Sequence, residues 1–219
     1  DAGDTRSALT AQSHAQAGGR TILFVDDDAV LYRAGTRRVL QQPRRHAANP
    51  VIAETRPWEV AIGYCTVYRD EASGLYQSWY QAYSGGNADD PTRRVVVCYA
   101  TSKDGVNWKK PNLGLYDYNG ERNTNIVLIG NGGRSVNYGA SVLVDQFDPD
   151  KLRRYKMAYW DFVDVSGRQV PGLCVAFSAD GIQWVKYSKA PLLQGAYGDP
   201  TQPPLSAESR GEPTTRPAI

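Results

Sequence analysis

From Glu59 onward, apolar and polar positions alternate in short runs. "AIGYCTVYRD", "GLYQSWYQAY" and "RRVVVCYATS" carry the period-two spacing of half-buried strands, and "EASG" and "SGGNADDPT" separate them with turn formers. "KDGVNW" comes next, and Asp-Gly between apolar positions predicts a tight hairpin turn of type I′. The same order then returns as "SVLVDQFD", "RRYKMAYWDF", "GLCVAFSA" and "DGIQW". The pattern predicts one antiparallel meander written twice: strand, hairpin, strand, loop, strand, Asp-Gly turn, and an outer strand opened by Trp. No stretch has the spacing of an amphipathic helix of useful length.

The echo is residue by residue. Ser102, Asp104, Gly105 and Trp108 recur at one constant offset as Ser178, Asp180, Gly181 and Trp184, and Cys98 recurs as Cys174 at the same offset. A repeated four-stranded meander is the sequence form of a β-propeller blade. A β-sandwich of two similar halves is the alternative. In either fold the repeated turn reads as scaffold: Asp and Gly make the turn, Ser bonds across it, and Trp packs between sheets.

Ahead of the repeats, residues 1–20 are small and polar and read as a flexible arm. "TILFVDDDAVLY" (21–32) is strand-like but interrupted by three aspartates, and 37–59 reads as a Pro-broken, basic, extended connection. Blades are expected over 21–198. Residues 199–219 read as a Pro-rich irregular tail or the start of a truncated blade. The chain opens on Asp1, which reads as a processed form, so a visible leader is not expected.

Composition narrows the classes. Hydrophobic residues are 41%, charged residues 22%, and the net charge is +2, as in an ordinary globular protein. The arginines are scattered and form no basic stripe, which argues against nucleic acid. No apolar run approaches the roughly 20 residues of a membrane span. Tyr (14) and Trp (5) outnumber Phe (4), a bias that suits sheet surfaces and carbohydrate-facing clefts. Cys65, Cys98 and Cys174 are odd in number and widely spaced, so neither a disulfide framework nor a zinc site is expected. All lie in apolar runs and read as buried, unpaired small hydrophobes. His14 and His46 fall in irregular segments with no triad to build. "GNGG" lacks the Lys-Ser/Thr of a phosphate loop.

The stretch "SKDGVNWKKPNLGLYDYNGERNTNIVL" is longer than a turn needs. Through Ser102, Asp104, Gly105, Trp108, Pro111, Leu113, Gly114, Asn123 and Asn125 it resembles the five-bladed β-propeller glycoside hydrolases related to families 32 and 43, the invertase-like and arabinanase-like enzymes. "LFVDDD" and "RPWE" look like the opening of the same kind of protein. The resemblance runs over most of 21–199 and implies an all-β fold of four-stranded blades. Five such blades need about 300 residues. Only two full blades and parts of others are present, so the resemblance implies a fragment, a truncated product, or a propeller completed by another chain.

The resemblance also implies a secreted or periplasmic protein acting on a carbohydrate, with fructosyl and arabinosyl furanosides among the candidates. It implies an axial site at the starts of the innermost strands, with two carboxyl groups and neither metal nor organic cofactor. Asp26 and Asp27, in the Asp26–Asp28 run, resemble the first-blade acid that serves as nucleophile or base; a solvated loop is the plain alternative. Glu59, behind Trp58, is the second candidate. Sliding the two units over each other sets it opposite Asn137, each a few residues ahead of an apolar run. Asp199 in "YGDP" would open the next blade, or would be a turn residue before Pro200. Arg56 and Asn137 are candidate hydroxyl or carboxylate binders. Trp58, Trp79, Tyr80, Tyr83, Tyr138 and Trp160 are candidate stacking platforms, with packing as the alternative. Asp161 and Asp164 are expected in a loop. A non-catalytic sugar-binding or assembly module is the second functional reading.

Overall fold

The computed structural model describes residue 27, residues 30–134 and residues 137–195. Two compact units divide the chain, Asp1–Arg45 and His46–Ile219. In the first, the described residues contain no strand or helix. In the second, the described regular structure is antiparallel sheet apart from two short 3-10 turns, Pro91–Arg93 and Lys151–Arg153.

Sheet 1 is β1 (Ala61–Arg69), β2 (Tyr76–Tyr83) and β3 (Val95–Ser102), with β4 (Trp108–Lys109) and β5 (Ile126–Leu128) both paired to β3. Sheet 2 repeats the plan as β6 (Tyr138–Val144), β7 (Tyr155–Val165) and β8 (Arg168–Ser178), with β9 (Val185–Lys186) and β10 (Leu193–Gln194) both paired to β8. The outer strand of each unit is therefore two short pieces, not the single strand that the pattern suggests. Between the pieces of sheet 1, the chain loops out over residues 110–125.

The two Asp-Gly turns are copies in detail. Ser102 and Ser178 each accept from the Gly N–H at 2.9 Å and donate to the Asp carboxylate at 2.9 Å. Asp104 accepts from the N–H groups of Val106 and Asn107, and Asp180 from those of Ile182 and Gln183, all at 2.7–2.9 Å. Trp108 and Trp184 donate back to the Gly carbonyl at 3.0 and 3.1 Å. The glycines stand at φ 73° and 77°, a region closed to most side chains.

Alternation along the strands sends two sets of side chains to opposite faces. Trp79, Val97 and Tyr99 of sheet 1 meet Ala140, Val142, Tyr155, Met157, Tyr159 and Trp184 of sheet 2 in one core. On the other face of sheet 1, Tyr80, Ala82, Val96, Cys98 and Ala100 are buried under Trp58, Ile52 and Tyr118. A two-layer sandwich buries one face of each sheet. Sheet 1 buries both, and its first strand packs on the first strand of sheet 2. That is the layering of successive blades.

Each first strand has the same break. Gly63 faces Gln81 and Thr66 faces Trp79, with an irregularity between; Tyr138 faces Trp160 and Ser141 faces Ala158, with an irregularity between. The bulged positions are Tyr64 (φ 46°) and Gly139 (φ 67°), as expected where an extra residue is turned left-handed. This register corrects one expectation: Ile62, not Glu59, stands in the place of Asn137. Cys65 is exposed, although Ala140, which follows the matching bulge of sheet 2, is buried; Cys98 and Cys174 are buried, and all three thiols are free. Trp184 is 8% exposed, but Trp108 is only half-buried.

Candidate functional site

The turn Thr55–Glu59 leads into β1 and folds back on the Glu59 carboxylate. One oxygen accepts from the N–H groups of Thr55 at 2.8 Å and Arg56 at 3.0 Å, and from Lys110 Nζ at 2.6 Å. The other accepts from the Tyr80 hydroxyl at 2.7 Å, which in turn accepts from Asn125 Nδ2 at 2.7 Å. The Glu59 side chain is 0% exposed and that of Lys110 10%. Burying such a pair is tolerable only when the remaining lone pairs and protons are met, as here. Burial, with the Cys98 and Glu59 charges nearby, pushes the Tyr80 phenol far up, so it remains a donor.

Sheet 2 carries a counterpart. Lys110 also donates to Ala53 O and Thr55 Oγ1 at 2.6 and 3.0 Å. Lys186 donates to Ile129 O and Asn131 Oδ1 at 2.7 and 2.6 Å, the same contacts one repeat later. The carboxylate comes from a different place, however. Asp161 stands within β7, 0% exposed, and accepts from Asn131 Nδ2 at 3.0 Å, Phe162 N at 2.8 Å and Asn137 N at 3.3 Å. Burial depresses the Lys186 pKa, with Asp161 pulling it partly back.

Between these clusters, Gln81 bridges the sheets. Its amide nitrogen donates to Asn137 O, and its oxygen accepts from Gly139 N at 2.7 Å and Ala140 N at 3.3 Å. Thr66 Oγ1 accepts from Val142 N at 3.1 Å. Beside the bulges, Tyr138 lies edge-on to Tyr64 at 5.2 Å and to Tyr83 at 6.2 Å between ring centres. Tyr64 is 50% exposed. The starts of β1 and β6 thus bring together two buried carboxylates, two lysines, amide side chains and an aromatic cluster.

Asp26, Asp28 and Asp199 lie outside the described residues. Asp27, in the first unit, is exposed and paired with Arg33 and Arg38. Glu59 and Trp58 are enclosed: Trp58 is 0% exposed, packs on Tyr118 at 5.7 Å, and presents no face to a ligand. Arg56 donates to Lys110 O at 3.2 Å and Asn112 Oδ1 at 3.3 Å. Asn137 is buried at φ 44°, and its Oδ1 has no hydrogen-bond partner. Trp79 and Tyr80 are core residues; Tyr83, Tyr138 and Trp160 are half-buried. Asp161 is in a strand, not a loop. Sequence reasoning missed Lys110 as the partner of Glu59, and Tyr64 and Gln81. Lys110 had a signal, since it recurs as Lys186 at the offset of the turn. Among the described residues, no group of three or more His, Cys, Asp or Glu could hold a metal.

No protein-family model and no curated protein matches the chain. Solved structures do. A β-fructofuranosidase from Schwanniomyces occidentalis, complexed with fructosyl-erythritol, matches at 18% identity and TM-score 0.41 over 58% of this chain and 23% of its own. An exo-inulinase from Aspergillus awamori matches at 18% and 0.38 over 63% of this chain and 26% of its own. An N-acetylgalactosamine deacetylase from F. plautii matches at 19% and 0.32 over 56% and 28%. The chain thus spans about a quarter of the length of these neighbours. Their names cover different reactions, so chemistry has to be argued from the side chains.

Proposed function

We propose that the chain is part of a carbohydrate-acting propeller of glycoside hydrolase type, whose substrate is met at the starts of β1 and β6. One observation carries this reading: an aromatic cluster, Tyr64, Tyr83 and Tyr138, stands at the ends of two neighbouring sheets that also carry the buried Glu59–Lys110 pair and the buried Asp161, which shares Asn131 with Lys186. Sugars need that combination, apolar ring faces for the C–H side and fixed polar groups for the hydroxyls. Glycosidic cleavage would require an acid and a base or nucleophile. Asp26 or Asp27 takes the base or nucleophile role in this proposal. Glu59, closed off and bonded to Lys110, acts as a positioning residue that holds the Thr55–Arg56 turn. Arg56, Asn137 and Asp199 remain proposed substrate contacts, and the setting is secreted or periplasmic.

The test is a panel of inulin, sucrose, arabinan and an aryl arabinofuranoside, read for binding by calorimetry and for released sugar or phenol. Release of product supports the glycosidase reading. Binding without turnover supports the second reading, a carbohydrate-binding module. Neither binding nor turnover sinks both.

A further inference from the structure

The bulges of β1 and β6 carry the same two residue types in exchanged order. The register makes Gly63–Tyr64 the counterpart of Tyr138–Gly139. In sheet 1 the ring is on the left-handed residue, Tyr64 at φ 46°; in sheet 2 it is one residue earlier, with Gly139 at φ 67° behind it. The rings of Tyr64 and Tyr138 meet at 5.2 Å between centres. Gly63 leaves room for the Tyr83 ring, which a Cβ there would meet at 3.6 Å. Bulges re-aim side chains in this way beside functional sites.

Tyr138 stands in a strained corner, between Asn137 at φ 44° and Gly139 at φ 67°. Asn visits the left-handed region more readily than most residues, yet it stays there only where its surroundings hold it. The holding group is Gln81. Its Nε2 donates to Asn137 O, and its Oε1 accepts from Gly139 N at 2.7 Å and Ala140 N at 3.3 Å. These partners fix which way the amide points, because a carbonyl only accepts and a backbone N–H only donates. The amide takes the carbonyl before Tyr138 and the N–H after it, as a parallel neighbouring strand would. One side chain of sheet 1 thus grips Tyr138 of sheet 2 from both sides. Asp161 adds a bond from Asn137 N at 3.3 Å.

Gln81 is not a scaffold residue of the repeat. Its counterpart in sheet 2 is Trp160, so the meander itself requires no amide at this place. Gln81 is 0% exposed, and the bonds of its side chain cross to sheet 2. Its role belongs to the junction of the two sheets, at the end where the tyrosines gather.

We infer that Gln81 is a positioning residue for ligand binding: it holds the Asn137–Gly139 corner so that the Tyr138 ring, beside Tyr64 and Tyr83, meets the C–H face of a sugar ring. The inference rests on the carbohydrate reading above and makes that site depend on how sheet 1 seats against sheet 2. Without the amide, Asn137 O, Gly139 N and Ala140 N lose their partner, the corner relaxes, and the ring turns away from its place.

The experiment compares the full chain with its Gln81→Met and Thr66→Val variants. Thr66→Val is the control, because Thr66 Oγ1 takes another bond between the sheets, from Val142 N at 3.1 Å, beyond the corner. Amide hydrogen exchange is measured, together with calorimetric affinity for whichever of inulin, sucrose, arabinan and the aryl arabinofuranoside the wild type binds most tightly. In Gln81→Met the Gly139 and Ala140 amides should exchange about tenfold faster and affinity should fall about tenfold, as for a lost hydrogen bond, with the amides of β7 and β8 unchanged. Thr66→Val should speed exchange at Val142 and keep the wild-type affinity. Should Gln81→Met not fold, Gln81→Glu carries the test: it keeps the shape and an acceptor oxygen but, ionised, has no proton for Asn137 O, and affinity should fall again. Wild-type affinity in the Gln81 variant overturns the inference. So do equal losses of affinity in the Gln81 and Thr66 variants, which would make the bond a structural one only. Unchanged exchange at Gly139 and Ala140 in Gln81→Met overturns the grip on the corner. A wild-type chain that binds none of the four overturns the carbohydrate reading and the ligand role with it, while the exchange measurement still decides whether Gln81 holds the corner.

Discussion

A carboxylate can be buried for chemistry or for architecture, and its bonds tell which. Every strong donor around Glu59 belongs to the protein: two backbone N–H groups, Lys110 and Tyr80. Glu59→Gln leaves Lys110 charged and unpaired in the interior, and breaking one member of a buried pair costs about 3–5 kcal/mol. Urea unfolding should read a loss of that size. Lys110→Met added to Glu59→Gln should recover part of it, because the double variant buries no lone charge. The Glu59 position as a special one was legible in the sequence, from Trp58 and the strand that follows. Its partner was not, because Lys110 is remote in sequence and reaches Glu59 only once β4 and the Thr55 turn are packed. Asp161 was misplaced for a related reason: an Asp after an apolar run reads as a loop until the strand is seen to continue through it.

At the scale of the element, the duplicated turn separates conformation from packing. Gly105 and Gly181 share the same positive φ, so Ala at either carries similar backbone strain. Only Gly181 also has Trp79 and Tyr155 pressed against it, at 2.6 and 3.1 Å from where an alanine Cβ would stand. Gly181→Ala should therefore cost about 1–3 kcal/mol more than Gly105→Ala, the usual range for overpacking. The tryptophans should differ in the same sense. Trp184→Ala should cost about 3–5 kcal/mol, and the half-buried Trp108 clearly less, by chemical denaturation. Strand order and the Asp-Gly turns were legible because turn chemistry and period-two alternation are local. The bulges at Tyr64 and Gly139 were not, since an inserted residue leaves the apolar count intact and changes only which face follows.

At the scale of the whole molecule, the carboxylates set the acid limit. The side chain and N–H of Asn107 hold Asp104 below its ordinary 3.8, and Lys156 does the same for Asp145 and Asp148. Burial works against Asp180, but the N–H groups of Gln183 and Ile182 outweigh it and lower its pKa as well. A folded pKa below the unfolded one gives stability that is full above about pH 4 and is lost as pH falls further. Lys156 is raised from 10.5 by Asp145 and Asp148, so its share is full below that value and is lost at higher pH. A plot of Tm against pH should fall below about pH 4. Asp104 and Asp180 are exposed and Asp145 and Asp148 half-buried, so added salt should shrink the fall. A Tm that holds steady down to about pH 2.5 would contradict the assignment.

The repeat, the all-β class and the blade order were legible in the sequence because they are written in repeated local signals. The division of labour among the acids was not, because it depends on enclosure. It is also what most needs measuring. The direct measurement is turnover of an aryl furanoside by the full chain and its Asp26→Asn, Asp27→Asn and Glu59→Gln variants, each scored beside its Tm. The account predicts that one of the two Asp variants loses turnover at unchanged Tm, while Glu59→Gln lowers Tm by about 10 °C, the shift expected for several kcal/mol in a chain of this size. Wild-type Tm with abolished turnover in Glu59→Gln, or full turnover in both Asp variants, would contradict it.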